Sequence, residues 1–427
     1  MADKQSSLRI EKTHSLPDPP VCILIDDGIH MINLSAAARR VYRIDTFRQS
    51  ADGVSQPLFE SVMMLIAIRY FAVGDFGKGL ISASNFLGFL ASAPLTGVLN
   101  RSAVPRSRVL SLLTGTAAVM MALGAFSGSG IAFSISVSLA SAAVHIRQPF
   151  FTDLYRENYP PDHLATLISL GLRLNLLLSL FCGLFYGRLL TIDIGHWRFI
   201  LIASTTVLLL VSLVLPRLSG NPPVSRHEGW LQAMMIPFRN PTFLYVQTSW
   251  MIIGFGNLWI QPLRSIYLVE EQRGLALSPT LVMTILVVIP VATRLLCNPI
   301  WARLYQKMSF PALRISINLF FMTSIPLFFL TENLYLVALA SFLLGVGTSA
   351  SPFIWQLWVT KIAPPSETRI YQSAHAFLAG FRGVVAPFIG LAVLQSLSFQ
   401  KMSFLSGILI FVATLMMIPL MRKDRKF

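Results

Sequence analysis

Charged side chains are scarce in this sequence: they make up 12% of its 427 residues, whereas hydrophobic residues make up 54%. A soluble domain carries about 25% charged residues, so a chain of this size lacks the polar groups needed to cover its surface. The mean hydropathy of +0.64 agrees with that deficit. We therefore expect an all-α integral membrane protein with lipid as the solvent for most of its surface.

Cysteine is rare too, and the three residues Cys22, Cys182 and Cys297 lie far apart. This spacing predicts neither a disulfide framework nor a metal site. The sequence also lacks a Walker-type phosphate loop, a catalytic Ser/His/Asp spacing and a cleavable signal peptide. We expect no cofactor, no direct use of ATP and no enzymatic activity.

Acidic residues are outnumbered, with 19 Asp and Glu against 34 Lys and Arg and a net charge of +15. A basic chain can bind nucleic acid. Here, however, the basic residues form short clusters between apolar runs, as in the cytoplasmic loops of membrane proteins. The pattern predicts no nucleic-acid partner, and it places both termini in the cytoplasm, with the chain in the cell membrane.

Apolar runs of about 20 residues, the length that spans a bilayer as a helix, occur about twelve times. The predicted spans are residues 57–76, 79–99, 108–127, 130–153, 165–190, 196–216, 242–264, 277–300, 311–330, 333–358, 369–395 and 402–421. The predicted domains are a cytoplasmic tail (1–50), an N-terminal six-helix bundle (51–218), a cytoplasmic linker (219–240), a C-terminal six-helix bundle (241–421) and a basic tail (422–427).

Two short segments of the N-terminal tail have some structural signal. Residues 21–28 fit a strand followed by a turn, and residues 34–42 fit a surface helix. Disorder of the whole tail is the alternative. In the linker, residues 230–238 fit an amphipathic helix on the membrane surface.

A pattern of Pro-Phe, three variable residues, Leu and an aromatic residue occurs twice, starting at Pro149 and at Pro352, 203 positions apart. A second pair of similar blocks, Asn100 to Arg108 and Gln306 to Arg314, has nearly the same displacement. Such a period is too long for a solenoid repeat. It predicts two similar halves that face each other across a central site.

Six plus six helices, a central polar loop and repeated basic loops make residues 51–421 similar to the major facilitator superfamily. Gly97, Leu99 and Arg101 resemble the family's loop after the second helix, although Asn100 replaces the usual Asp, which weakens any lock that needs this carboxylate. The family's antiporter signature in the fifth helix is missing. The resemblance implies gating contacts at the cytoplasmic ends, with Arg101 or Arg106 approaching Asp153. The implied gating residues are Asn100, Arg101, Arg106, Asp153, Gln306 and Lys307.

Polar side chains form stripes within three apolar spans, and in the family that this chain resembles the corresponding helices line the central cavity. Residues three or four apart share a helix face, and lipid does not satisfy polar groups. Small Ser and Thr side chains in these stripes are explained as well by helix packing. The larger ones are predicted to bind solute: His145, Gln148, Gln247, Trp250, Asn257, Gln261 and Trp355.

Arginine dominates the ionisable residues within the spans, which favours an anionic solute. Arg69 and Arg382 are predicted to bind it. Arg147, Arg173 and Arg294 lie nearer the cytoplasm, where snorkelling or pairing with Asp153 is the alternative. The candidates for proton coupling are Glu60, His145 and His375.

Together these patterns predict a monomeric secondary transporter that moves a small polar or anionic solute across the bilayer by alternating access. The coupling ion would be H+ or Na+. A solute sensor that keeps the fold but does not transport is the alternative, and a membrane enzyme is a third class.

Overall fold

The computed structural model describes residues 21–25, 28–32, 34–99, 104–218, 234–351, 354, 358–359, 362–364 and 367–423. Within these ranges the chain forms a short hairpin and twelve main helices, several of them interrupted. The hairpin pairs β1 (Val21–Ile25) with β2 (Gly28–Ile32) in antiparallel register. A strand in the tail is therefore confirmed.

The helices of the first half are α1 (Ala36–Pro57, a π turn Leu58–Val62, and Met63–Arg69), α2 (Asp75–Leu99), α3 (Arg106–Ala125), α4a (Gly130–Ile146) with α4b (Gln148–Asn158), α5 (Pro161–Ile192) and α6 (Trp197–Val214). Those of the second half are α7a (Pro241–Leu258) with α7b (Gln261–Val269), α8 (Pro279–Met283, a π turn Thr284–Val288, and Ile289–Lys307), α9 (Phe310–Phe329), α10 (Leu334–Ser349), α11 (Thr368–Leu394) and α12 (Phe399–Leu415, continued by Ile418–Lys423). The prediction of twelve helices in two groups of six is confirmed.

Helix α1 begins much earlier than predicted. The side chain of Ser35 caps it by accepting a hydrogen bond from the amide of Ala38, and the helix then continues to Arg69. The predicted start at residue 57 is wrong because the prediction relied on long apolar runs. Polar residues such as Asp45 and Arg48 interrupt the apolar run of this helix, although both are buried in the bundle. The helix predicted at 34–42 is thus the first part of α1.

The fourth and tenth helices break at equivalent positions. Helix α4a ends at Arg147, and α10 ends at Ala350, 203 residues later. Each break lies two residues before the proline of the repeated block, where the missing amide and the ring of proline disfavour a continuous helix. The two predicted single spans, 130–153 and 333–358, are therefore interrupted.

The repeated aromatic residue packs against the first helix of its own half. The hydroxyl of Tyr155 is 2.8 Å from Arg48 and 2.8 Å from Asp45 in α1. The ring of Trp358 stacks on Phe243 in α7a, with 5.6 Å between ring centroids. The repeat thus preserves the position of the aromatic side chain and changes its chemistry from polar to apolar.

The two halves meet mainly where α2 packs on α11 and α5 packs on α8. Glycine allows the first contact, since a Cβ added at Gly383 would lie 2.0 Å from the ring of Phe86 and one at Gly380 would lie 2.6 Å from the amide of Leu90. Small residues let membrane helices approach closely in this way.

Seven helices among the described residues are long and apolar enough to cross a membrane, and α4a and α10 are shorter apolar helices. The remaining three contain polar segments or breaks. The linker prediction for residues 230–238 lies largely outside the described residues, which include a short 3-10 turn at Ile236–Arg239.

Candidate functional site

A cavity of about 240 Å³ lies between the two halves, bordered mostly by helices of the second half. Helices α7a, α9, α10 and α11 supply most of its wall, and Phe86 of α2 and residues that follow α10 supply the rest. Its lining residues are Phe86, Trp250, Ile253, Gly254, Asn257, Leu258, Arg314, Ile317, Phe321, Gly347, Thr348, Ala350, Ser351, Ile354 and Arg382.

Helix α7a presents one face to the cavity. Trp250, Gly254 and Asn257 follow one another at intervals of four and three residues, the spacing of a single helix face. Trp250 and Asn257 are two of the predicted solute-binding residues. Gln261 of the same predicted stripe lies beyond the helix break at Trp259 and begins α7b, outside the lining.

Arg382 reaches this face from α11. Its Nη1 donates a hydrogen bond to the carbonyl of Trp250, and the side chain passes so close to Gly254 that an added Cβ would lie 1.9 Å from its Cζ. Only glycine leaves room for this approach. Arg382 as a whole residue is 5% exposed, and its Nε has no hydrogen-bond partner among the described residues.

Arg314 is a cavity residue that the sequence analysis missed. In the sequence it belongs to a cluster of basic residues that marks a cytoplasmic loop, and it repeats Arg108 of the first half, which is exposed. In the structure Arg314 is 6% exposed, and its Cζ lies 3.7 Å from the centroid of the Trp250 ring. The prediction that Arg314 lies in a loop is therefore wrong: it is the fifth residue of α9 and is buried in the bundle.

No described carboxylate pairs with either cavity arginine. The two guanidinium groups are near enough to repel one another electrostatically. A third buried arginine, Arg264, donates a 3.2 Å hydrogen bond to the carboxamide oxygen of Asn257. That contact leaves the NH₂ group of Asn257 as its remaining polar group. The cavity thus presents hydrogen-bond donors and positive charge.

Gln247 and His375 form a buried pair beside the cavity. Nδ1 of His375 lies 2.9 Å from Oε1 of Gln247, which assigns the donor role to the imidazole N–H. The imidazole is fully buried, 5.1 Å from the rings of both Trp250 and Trp358. Neither residue of the pair lines the cavity itself, but His375 lies within electrostatic range of Arg314 and Arg382.

His145 and Gln148 are separated by the break in the fourth helix. His145 is half-buried, with Nδ1 2.8 Å from the carbonyl of Ser141 and its ring edge-on to Phe89 at 5.7 Å. Gln148 is exposed at the start of α4b. Neither belongs to the lining of the cavity, and Trp355 lies outside the described residues.

Arg69 lies at the end of α1, away from the cavity. Its Nη2 donates to the carbonyl of Leu277, at 2.5 Å, and lies 3.5 Å from the carbonyl of Val269, both in the second half. Lys78 forms an ion pair with Glu270 at the same level. We call this the contact end of the bundle, defined by Arg69, Lys78, Glu270 and Leu277. The structure therefore places Arg69 in a contact between the halves.

Glu60 pairs with Arg294 across the two halves, with Nη2 3.1 Å and 3.3 Å from the two carboxylate oxygens. Gln56 donates to the same carboxylate at 2.6 Å. Both helices carry a π turn nearby, at Leu58–Val62 and at Thr284–Val288, and these turns touch. π turns often mark functional sites. Arg294 is therefore paired with a carboxylate of the first half.

Arg147 pairs with a carboxylate of α1. It is fully buried, and it contacts Asp52 of α1 and, at 3.1 Å, the hydroxyl of Thr114. The side chain of Asp153 lies outside the described part of the structure. Arg48 contacts Asp52 at 2.5 Å and Asp45 at 2.7 Å.

This charged cluster of Asp45, Arg48, Asp52, Arg147 and Tyr155 was missed because no helix was predicted over residues 43–56. The spacing of three and four residues between Asp45, Arg48 and Asp52 was an available signal, since such pairs are neighbours on a helix. Burial raises the pKa of the Tyr155 phenol. Tyr155 therefore stays protonated and donates to Asp45.

The predicted gating contacts are described only in part. Arg106 pairs with Glu157 of α4b, one turn beyond Asp153. Asn100 and Arg101 lie outside the described residues, and Gln306 and Lys307 are exposed at the end of α8. An ion pair therefore joins α3 to α4b, and its acidic partner is Glu157.

The sequence matches the model of one protein family, and many solved structures have a fold similar to that of this chain. A sequence profile described as Major Facilitator Superfamily matches residues 57–381. None of the curated proteins compared matches the chain.

Three solved transporters illustrate the likeness in fold. A variant of the nucleoside transporter NupG is 11% identical, with a TM-score of 0.72 over 90% of this chain and 99% of that one. A D-xylose-proton symporter is 12% identical, with a TM-score of 0.67 over 90% and 97%. The peptide transporter POT in complex with sulfate is 14% identical, with a TM-score of 0.66 over 91% and 94%.

Proposed function

Since the chain belongs to the major facilitator superfamily, we propose that it is a secondary transporter that moves a small anionic solute through the membrane by alternating access. It carries the solute without transforming it. The cavity bordered by Trp250, Asn257, Arg314 and Arg382 is the proposed solute site.

The observation that carries this proposal is the pair of buried arginines. Removing a charge from water costs several kcal/mol unless a partner compensates it, and these two cations have no carboxylate partner among the described residues. An oxyanion solute supplies that partner through charge-assisted, bidentate hydrogen bonds, which guanidinium groups form well. The cation–π contact between Arg314 and Trp250 compensates only part of the cost.

Contacts at the contact end support alternating access. Arg69 and Lys78 of the first half bind the second half there, and α5 touches α8 through a 2.8 Å contact between the hydroxyls of Thr191 and Thr280. For the solute to leave through this end, these contacts have to break while the halves rock about the central site.

Coupling to H+ or Na+ is part of the proposal. Glu60, His145 and His375 remain the candidates for H+ coupling. Glu60 is the most direct of them, because protonation of its carboxylate removes the charge that holds Arg294 of the other half. His375 instead adjoins the solute site.

The proposal also includes a monomer in the cell membrane with both termini in the cytoplasm, an orientation that the basic loops support. A single cysteine introduced at the exposed Phe126, which lies at the contact end, would then react with a membrane-impermeant reagent added outside intact cells. Reaction only after permeabilisation would reverse this orientation.

The decisive experiment measures uptake of labelled organic anions by proteoliposomes that contain the full chain. We expect saturable uptake that Arg382→Gln abolishes and Arg108→Gln leaves intact, because Arg108 is an exposed arginine far from the cavity. Release of a chemically altered solute, or tight binding without flux, would contradict transport.

A further inference from the structure

The cavity carries more specific chemical information than a preference for anions. Arg314 and Arg382 approach from two different helices, yet both contact Trp250: one lies over its ring and the other donates to its carbonyl. Their guanidinium groups therefore converge on one region of the cavity. A single headgroup can reach both.

Charge balance indicates the valence of that headgroup. Two converging guanidinium groups carry two positive charges, and neither has an acidic partner among the described residues. A carboxylate would neutralise one charge and leave the two cations repelling each other. A phosphate monoester carries close to two negative charges above its second pKa of about 6 and offers three acceptor oxygens.

The rest of the cavity wall indicates the polarity of the solute's body, by which we mean the part of the solute outside its headgroup. Apart from Asn257, Thr348 and Ser351, the lining away from the arginines is aromatic or aliphatic. The hydroxyl of Thr348 already donates to the carbonyl of Gly345 at 3.2 Å. Few groups are left to bind the hydroxyls of a sugar or of glycerol.

Size limits the solute further. The cavity volume of about 240 Å³ is close to the lower end of the range for small-molecule pockets, roughly 300–1,000 Å³. This size favours a solute of one small ring with a phosphate group over a nucleotide or a peptide.

We propose that the cavity selects small phosphate monoesters with an apolar body, holding the dianionic headgroup between Arg314 and Arg382 and the body against the apolar wall. This inference rests on the proposed function, because it names the class of solute that the transport site accepts. Arg314 fixes specificity for the dianion: its planar fork, stacked on Trp250, is oriented before the solute binds.

The test is calorimetric binding to the purified full-length protein at about pH 8, with four probes that separate head from body. Phenyl phosphate has both features, benzoate has the ring with one charge, inorganic phosphate has the head alone, and glycerol phosphate joins the head to a polar body. We expect phenyl phosphate to bind at least about tenfold more tightly than each of the others.

Two variants assign the selectivity to the arginines. Arg314→Gln and Arg382→Gln should each bring the affinity ratio of phenyl phosphate to benzoate close to one, whereas Arg108→Gln should keep it. Arg314→Lys retains the charge without the planar fork, and we expect it to keep only part of the ratio. The unliganded melting temperature checks that each variant is folded.

The outcomes separate this inference from the proposed function. Benzoate or glycerol phosphate binding as tightly as phenyl phosphate would overturn the inference, as would an unchanged ratio in Arg314→Gln. Uptake of a monoanion or a neutral solute would support transport and refute the proposed selectivity for phosphate monoesters. Arginine-dependent binding of phenyl phosphate without flux in proteoliposomes would support the proposed binding site and refute the proposed transport function.

Discussion

Arg69 offers the sharpest test of how the two halves are held together. Its side chain donates to the carbonyls of Leu277 and Val269 across the interface. A hydrogen bond from a charged group contributes about 1.5–3 kcal/mol. The Val269 contact is at the limit of hydrogen-bond length and the side chain is only half-buried. We therefore assign the pair about 1–2 kcal/mol.

Replacing Arg69 by Gln should shift the ratio of closed to open contact ends by about 5- to 30-fold, at 1.4 kcal/mol for each factor of ten. Spin labels on Phe126→Cys and Tyr335→Cys report this ratio, because both positions are strongly exposed, belong to different halves and lie near the contact end. The three native cysteines are replaced first. We expect a larger population of long distances in Arg69→Gln.

Arg188→Gln is the matched control, since Arg188 is an exposed arginine in the last part of α5, which lies at the contact end. A distance distribution in Arg69→Gln that equals the control would refute a role in holding the halves together. If solute affinity fell while the distances between the spin labels stayed the same, the prediction from the sequence that Arg69 binds the solute would be supported.

Three further changes test other contacts. Glu60→Gln should remove the dependence of uptake on a pH gradient. It should also favour the open contact end about 2- to 5-fold, because it breaks the half-buried ion pair with Arg294. Unchanged pH dependence would exclude Glu60 as the coupling group. Tyr155→Phe should lower the free energy of unfolding by about 1–2 kcal/mol through loss of the hydrogen bond to Asp45, with uptake retained in the surviving folded protein; an unaltered thermal unfolding curve would contradict this. Gly380→Ala should reduce both the melting temperature and the yield of folded protein, since its Cβ would lie 2.6 Å from a backbone atom of α2; wild-type behaviour would show that α2 and α11 can separate at no cost.

The number of helices and one face of the cavity that we propose as the solute site could be predicted from residues alone. A bilayer requires long apolar segments whatever their neighbours are, so the number of spans follows from local composition. The stripe of Trp250 and Asn257 is equally local, because the helical period places them on one face. The breaks at Arg147 and Ala350 also had a local signal in the repeated prolines.

The positions of Arg69 and Arg314 could not be predicted in this way. Arg69 lies within an apolar segment and was assigned to a central site, but its depth and partners depend on where α7b and the following loop cross α1. Arg314 and Arg108 share one repeated pattern, yet one is buried on Trp250 and the other is exposed. The rotation of α9 about its axis, set by packing with α10 and α12, makes that difference.

Apolarity, periodicity and repetition act over short or aligned stretches, so a twelve-helix membrane protein with duplicated halves follows from the amino-acid sequence alone. The sequence also predicts that arginine dominates the ionisable residues of the interior. Only the tertiary structure decided which arginines face a cavity, which join the halves and which pair with Asp45 or Asp52. The physical reason is that a buried charge takes its role from the partners within a few ångströms, and residues from distant parts of the chain supply those partners.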